Sequence, residues 1–484
     1  MKFKKLQKIV ILLSLFVVSC AVYAESKQNL KSQYDLKMID EIVKEEMDRL
    51  NIPGVSIGIV SNDQLIYSKG YGVSDTNGTK VTPDTKFLIG SCSKSFTAMA
   101  IMQLKDKGLL SLDDPIKKYL SWFKLKNNLG SDDIKISHLL SHESGFTTYD
   151  GESIFNGEVT NREKFFKGIK LSGKAGSTFE YSNLNFILLG DIVESVSGQN
   201  YDEYIKQNIF EPLVMDNSYA NTDEALSNGL NHGFQPVFGK LMILKQNYDQ
   251  YNIPAAYIAS TANDMAKYLI ANMTLDNSAN NRVISRESMD HLMVNDMGWF
   301  LDGAGVSHNG EVQGYHADIS MKFVDGLGFV GLVVLVNTND FMIAELDELY
   351  GLSSISKRIY TSLMYRSKSK IDNKTKRNEI YIVINLLIIT AFLLIVFQIY
   401  KLKNVVNNID KNPIKSVLVI CLNIFIAFSV YFGLQIYSGT PFITNLIFVP
   451  GVSHMLAVMI FLLLLTAFIQ IFFFAKIKLQ KVNR

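Results

Sequence analysis

The 484-residue chain sets 48 Lys and Arg against 46 Asp and Glu, a formal net charge of +2. Such a balance leaves no basic footprint for nucleic acid, and the length exceeds what one compact core of ordinary size accommodates, so two or more units are expected. Of three cysteines, Cys20, Cys92 and Cys421, only Cys92 falls in the region that reads as globular. A disulfide within that region and a thiolate zinc site are therefore both excluded.

In chain order, Lys2, Lys4, Lys5 and Lys8 precede the apolar run 9–18 and then small residues, the layout of an export signal removed from the mature protein. Val22-Tyr23-Ala24 suits ordinary signal-peptidase cleavage, whereas Val17-Val18-Ser19-Cys20 suits a lipobox that would leave Cys20 acylated. The first is adopted, giving a signal over 1–24 and an outer domain over 25–366. Ile39, Ile42, Val43, Met47 and Leu50 recur at helical spacing, which predicts an amphipathic helix over 35–50, ended by Pro53-Gly54. Residues 55–60 and 65–70 read as strands around Ser61-Asn62-Asp63, and 319–324 and 329–337 as a second pair around Asp325-Gly326. Strands at both sequence ends with helix-rich sequence between them predict an α+β fold: an antiparallel sheet with flanking helices and an inserted helical subdomain. The stretch 217–240 is polar, rich in Gly and Asn, and reads as an exposed loop. Trp299 is expected to pack under the strand that carries His308.

Between the strand pairs lies Ser91-Cys92-Ser93-Lys94 in an apolar frame. A serine hydroxyl is a poor nucleophile unless a neighbour takes its proton, and on a helix residues three apart face the same way, so Lys94 would sit beside Ser91. A helix starting at Ser91 would also offer free N–H groups to developing negative charge. Alone, this spacing is equally that of an ordinary helix start with a solvated lysine. Cys92, turned about 100° from Ser91, reads as a small buried apolar residue.

Further segments follow in order: His138 to Gly145, Tyr181-Ser182-Asn183, Glu211-Pro212-Leu213, Ala259 to Met265, and His308-Asn309-Gly310. Together with Ser91 and Lys94 they resemble the serine β-lactamase and penicillin-binding-protein superfamily, in its class C-like branch, over roughly residues 35–345. The resemblance implies a β-lactamase/transpeptidase-like fold with Ser91 as the acylated nucleophile, and Lys94 and Tyr181 as the proton-handling pair, with the positive charge of Lys94 helping to lower the Tyr181 pKa. It also implies Asn183 bonded to Lys94 or the substrate amide, His308 on the strand lining the cleft, and an oxyanion hole from the backbone N–H groups of Ser91 and Glu311, next to Gly310. Neither a metal nor an organic cofactor is implied, and His138 and His142, although spaced i, i+4, match a structural segment. The best-known members carry Lys-Thr-Gly where this chain has His308-Asn309-Gly310; a neutral imidazole is the weaker partner for a substrate carboxylate. The implied partner is a small molecule or peptide containing a D-amino acid, with β-lactam hydrolysis or a non-catalytic β-lactam or cell-wall sensor as alternatives.

Three apolar runs, 380–400, 417–436 and 455–474, each have the length of a membrane-spanning helix, so the lipid bilayer is a second expected partner. With the first domain exported, Lys401, Lys403, Lys411 and Lys415 and the tail 476–484 lie inside, and the loop 438–453, with no charged side chain, lies outside. The basic linker 367–379 would then rest on anionic headgroups or be a solvated tether. An outer catalytic domain followed by three helices also resembles the layout of the colibactin-maturation type of peptidase, which cleaves an N-acyl-D-asparagine from a secreted precursor.

Overall fold

The computed structural model describes residues 37–126, 130–154, 161–246, 248–273, 283–303, 305–339, 352–370, 376–407 and 413–482; the signal segment lies outside the described residues. Six strands, β1 Gly54–Ser61, β2 Gln64–Gly72, β3 Phe300–Asp302, β4 Gly305–Val312, β5 Tyr315–Val324 and β6 Gly328–Val336, form one antiparallel sheet ordered β2-β1-β6-β5-β4-β3. The first and last strands of the domain are thus central neighbours, with Val55 opposite Val336 and Ile59 opposite Leu332.

Side-chain alternation sorts each central strand between two cores. Val55, Ile57 and Ile59 of β1, with Leu332 and Val334 of β6, face the helices α1 Lys37–Leu50 and α5 Ser354–Tyr365. Val60, Val333 and Leu335 face the opposite layer, built on α2 Ser93–Asp106, α3 Asn183–Ser197 and α4 Ala262–Met273. Each fully buried aliphatic side chain stabilises the fold by roughly 1.5–3 kcal/mol, and helices on both faces explain why these strands carry so little polar character. Between α1 and α5 lies a buried ionic cluster. Glu46 accepts from Arg49 at 2.6 Å, from Ser354 at 2.8 Å and from Arg358 at 2.8 Å.

The predicted strand pairs are present; the first three strands are longer than the sequence indicated, and the fourth is shifted by one residue. One reading is corrected. The stretch 217–240 is not a simple exposed loop: it contains the helix Thr222–Ser227 and leads into a hairpin, Phe234–Val237 paired with Lys240–Ile243. Trp299 is buried with its ring parallel to Tyr268 of α4, centroids 6.3 Å apart, and Tyr268 stacks in turn on Phe96 of α2. The same core holds Val306 and Val312 of the strand that carries His308, and the neighbouring Phe300 meets the His308 ring. In the basic linker, Lys368 pairs with Glu41 and Glu45 of α1, and Arg377 is buried and donates to the Leu50 carbonyl at 3.1 Å. Two of the linker's cations thus meet α1; residues 371–375 lie outside the described residues.

Three helices follow, α6 Arg377–Asn407, α7 Pro413–Ser438 and α8 Val452–Val482. Each contains a 26-residue segment of strongly apolar composition, about 39 Å of helix, enough for a hydrocarbon core of roughly 30 Å. They pack through Tyr381, Ile388, Ala427, Met459 and Leu463, while most of their apolar surface points outward, as expected of helices solvated by lipid.

Candidate active site

Ser91 lies in a single 3-10 turn, Gly90–Cys92, leading into α2 at Ser93, so the regular helix begins two residues later than expected while the Ser91–Lys94 spacing is kept. Gly90 holds φ at +54°, and a Cβ there would stand 2.5 Å from the Glu311 amide nitrogen. Reciprocally, a Cβ on Gly310 would stand 2.6 Å from the Ser91 amide nitrogen. Only glycine at both places lets the turn and β4 approach closely enough to bring these two amides together.

Lys94 is fully buried, and its Nζ donates to Ser91 Oγ at 2.9 Å, Asn183 Oδ1 at 2.6 Å and the Ala255 carbonyl at 2.8 Å. All three ammonium protons are thereby used. Burial, partly opposed by the charge of Glu152, lowers the Lys94 pKa to about 7. Tyr181, two residues ahead of α3, donates from its hydroxyl to Ser91 Oγ at 2.8 Å. Burial holds its phenol above the usual range in spite of that bond. This runs against the expectation that Lys94 would lower it.

His308 occupies β4, which contributes to the same cleft. Its Nδ1 lies 2.6 Å from the Asn309 carbonyl, an acceptor only, so Nδ1 carries the proton. Burial and then the charge of Lys94 lower its pKa to about 3. The ring is neutral, and its Nε2 is a bare acceptor, buried and without a hydrogen-bond partner among the described residues. Cys92 is buried and donates from its thiol to the His308 carbonyl at 3.3 Å.

Ser91, Tyr181, Asn183, His308 and Glu311 thus line one cleft of about 1200 Å³, with Lys94 at its floor. Two of its features, Glu152 and Phe300, went unread in the sequence, and a third, His142, was read as structural. Glu152, which accepts from Asn183 Nδ2 at 2.8 Å, extends the chain Ser91–Lys94–Asn183; burial raises its pKa to about 7. His142, in a left-handed conformation at φ +56°, stacks on the Tyr181 ring at 4.5 Å and accepts the Ser182 N–H at 3.1 Å, which fixes the tyrosine's direction. Phe300 stands 5.1 Å from the His308 ring and 6.5 Å from Tyr181. On the far side of β4, His316 bridges Glu311 at 3.1 Å and Asp318 at 3.2 Å. Burial disfavours its charge, but the two carboxylates outweigh that and raise its pKa to about 10.

A serine between a buried lysine and a protonated tyrosine, facing two convergent amides, is an arrangement suited to acyl transfer. The profile of the beta-lactamase family matches residues 39–355, which takes in all six strands of the sheet and ends at the start of α5. The chain belongs to the beta-lactamase family. Among curated relatives it is similar to Protein flp of Staphylococcus aureus strain N315, 27% identical with 82% of each chain covered. It is also similar to the unguisins hydrolase ungD' of Aspergillus campestris, 30% identical over 39% of this chain and 37% of that one. Among solved structures it resembles the octameric penicillin-binding protein homologue from Pyrococcus abyssi, with TM-score 0.56 and 28% identity over 69% of this chain and 78% of that one. FmtA from Staphylococcus aureus shares the fold, with TM-score 0.54 and 23% identity over 69% and 87%. Members of this superfamily are generally serine hydrolases, and the three apolar helices associate this chain with a membrane.

Proposed function

We propose that the chain is a membrane-anchored serine hydrolase whose catalytic domain works outside the cytoplasmic membrane through an acyl-enzyme. The observation that carries this reading is Ser91 Oγ lying 2.9 Å from Lys94 Nζ and 2.8 Å from the Tyr181 hydroxyl at the floor of a cleft. In the first half-reaction Lys94, in its neutral form, takes the Ser91 proton as Oγ bonds to the scissile carbonyl carbon. The resulting oxyanion accepts from the Ser91 and Glu311 amides. Collapse breaks the bond to the leaving amine or alcohol, which receives a proton passed through Tyr181 and Lys94. Water then attacks the ester, losing its proton to the same pair, and Ser91 is regenerated.

The substrate class we infer is a peptide, amide or ester containing a D-amino acid, either related to the cell wall or an exported acylated precursor. Two features support it. The neutral His308 offers no positive charge to a carboxylate beside the scissile bond, and its bare Nε2 suits a substrate N–H or O–H donor. Relatives include a penicillin-binding protein homologue and a hydrolase of unguisins. β-Lactam hydrolysis, which relies on gripping a free carboxylate, fits this cleft less well. The test is labelling of the full-length protein by a fluorophosphonate. Wild type labels at Ser91 and Ser91→Ala does not; labelling that survives Ser91→Ala defeats the assignment.

A further inference from the structure

The uncharged segment between α7 and α8 is folded against the catalytic cleft. It contains the short helix Phe442–Phe448, on which Thr444 and Phe448 are spaced i, i+4 and so share a face. Thr444 Oγ1 donates to the Glu152 carbonyl at 3.3 Å, and Phe448 lines the cleft that holds Ser91 and Tyr181. Both residues are buried. The segment is also tied to itself: Asn445 Nδ2, with two protons to share, lies 3.0, 2.9 and 3.2 Å from Ser438 Oγ, Thr440 Oγ1 and the Pro441 carbonyl. Two more bonds hold it in place. Tyr149 donates to Gln435 of α7 at 3.3 Å, and Gln235 of the hairpin donates to the Ile447 carbonyl at 3.2 Å.

A tether of three helices requires no such fit. Resting on the hydrolase reading above, we propose that the segment between the second and third membrane helices is a substrate-selecting wall of the active site, with Phe448 as its specificity-determining residue. Its ligand is an apolar substituent on the acyl part of the substrate. The chemistry of the segment supports this class, because 438–453 has no charged side chain and Phe448 presents an aromatic surface to the cleft. The segment also joins two helices apolar enough to span a bilayer, so a substrate held partly at a membrane surface would meet this wall with its apolar portion.

The experiment uses the full-length protein in lipid nanodiscs and p-nitrophenyl esters of acetate, butyrate, hexanoate and octanoate, with Ser91→Ala as the blank. Deleting the ring in Phe448→Ala should lower the octanoate-to-acetate ratio of kcat/KM about tenfold, the range over which a hydrophobic subsite discriminates methylenes. Phe448→Leu should restore most of the ratio, and Phe448→Trp should move the preferred chain length shorter. Identical ratios in wild type, Phe448→Ala and Phe448→Trp would overturn the wall while leaving the hydrolase standing. A wild type that hydrolyses none of the esters and does not label at Ser91 fails at the earlier step and removes both readings.

Discussion

Tyr181→Phe separates catalysis from folding more cleanly than other changes at this site. The ring's structural contacts do not involve its hydroxyl: it stacks on His142 at 4.5 Å, and Lys94 Nζ stands 4.9 Å from its centroid. Phenylalanine keeps both. The hydroxyl gives up one hydrogen bond, to Ser91 Oγ, and Ser91 retains Lys94, so the stability change should be about 1 kcal/mol or less. Loss of a positioned proton donor and acceptor costs about 10²–10⁴ in rate, or roughly 3–5 kcal/mol in the barrier. Thermal unfolding should thus shift by a few degrees at most while kcat/KM collapses. The pH profile identifies the base. Lys94 is active when neutral and its pKa is lowered to about 7, so kcat/KM should rise with pH through about 7, and that limb should persist in the residual activity of Tyr181→Phe. Turnover within threefold of wild type would refute the role given to Tyr181. Disappearance of the limb in the variant would transfer the role of base from Lys94 to the tyrosine.

Other expectations concern specificity, topology and stability. His308→Lys restores a cation to the strand beside the cleft and should speed acylation by penicillins about ten- to a hundredfold, the worth of a charge-assisted contact; stopped-flow acylation of wild type and variant checks it, and no gain would mean that His308 does not govern carboxylate recognition. A fluorescent reporter active only in the cytoplasm, fused after Arg484, should be bright, and a stable dark fusion would contradict the orientation drawn from the basic residues. Glu46→Ala strands Arg49 and Arg358 without their shared carboxylate and should cost about 3–5 kcal/mol. Denaturant unfolding of the variant checks that figure, and a loss below 1 kcal/mol would show that water replaces the carboxylate.

What was legible in the sequence was what is written locally. Short apolar runs on either side of the turn residues Ser61-Asn62-Asp63 and Asp325-Gly326 marked the strand pairs, and the three-residue spacing of Ser91 and Lys94 is a property of one helical turn. Glu152 and Phe300 left no such trace. Neither belongs to a periodic pattern, and each reaches the cleft because separate elements converge there. His142 was visible but read as structural, because its stacking on Tyr181 depends on a left-handed backbone at that residue. The hairpin Phe234–Val237 with Lys240–Ile243 was read as loop for a related reason. Its partners are distant in sequence, since the Phe234 N–H donates to the Asn337 carbonyl and Asn385 to the Phe238 carbonyl, both at 2.9 Å, and the polar residues around it obscure four-residue strands.

The pairing of β1 with β6 also sets a timetable for the chain. Val55 leaves the ribosome early and Val336 late, yet they are partners at the centre of the sheet, so β1, buried throughout in the finished domain, waits with β2 as an open-edged hairpin until the rest of the domain has been made. Contacts this distant in sequence slow folding and prolong the exposure of unpaired edges. The first membrane helix begins at Arg377, shortly after α5 closes over the sheet. A chain that stalls before β6 therefore has no central strand to complete it, whereas one that reaches α6 already contains the whole sheet and the helices α1 and α5 that cover one of its faces.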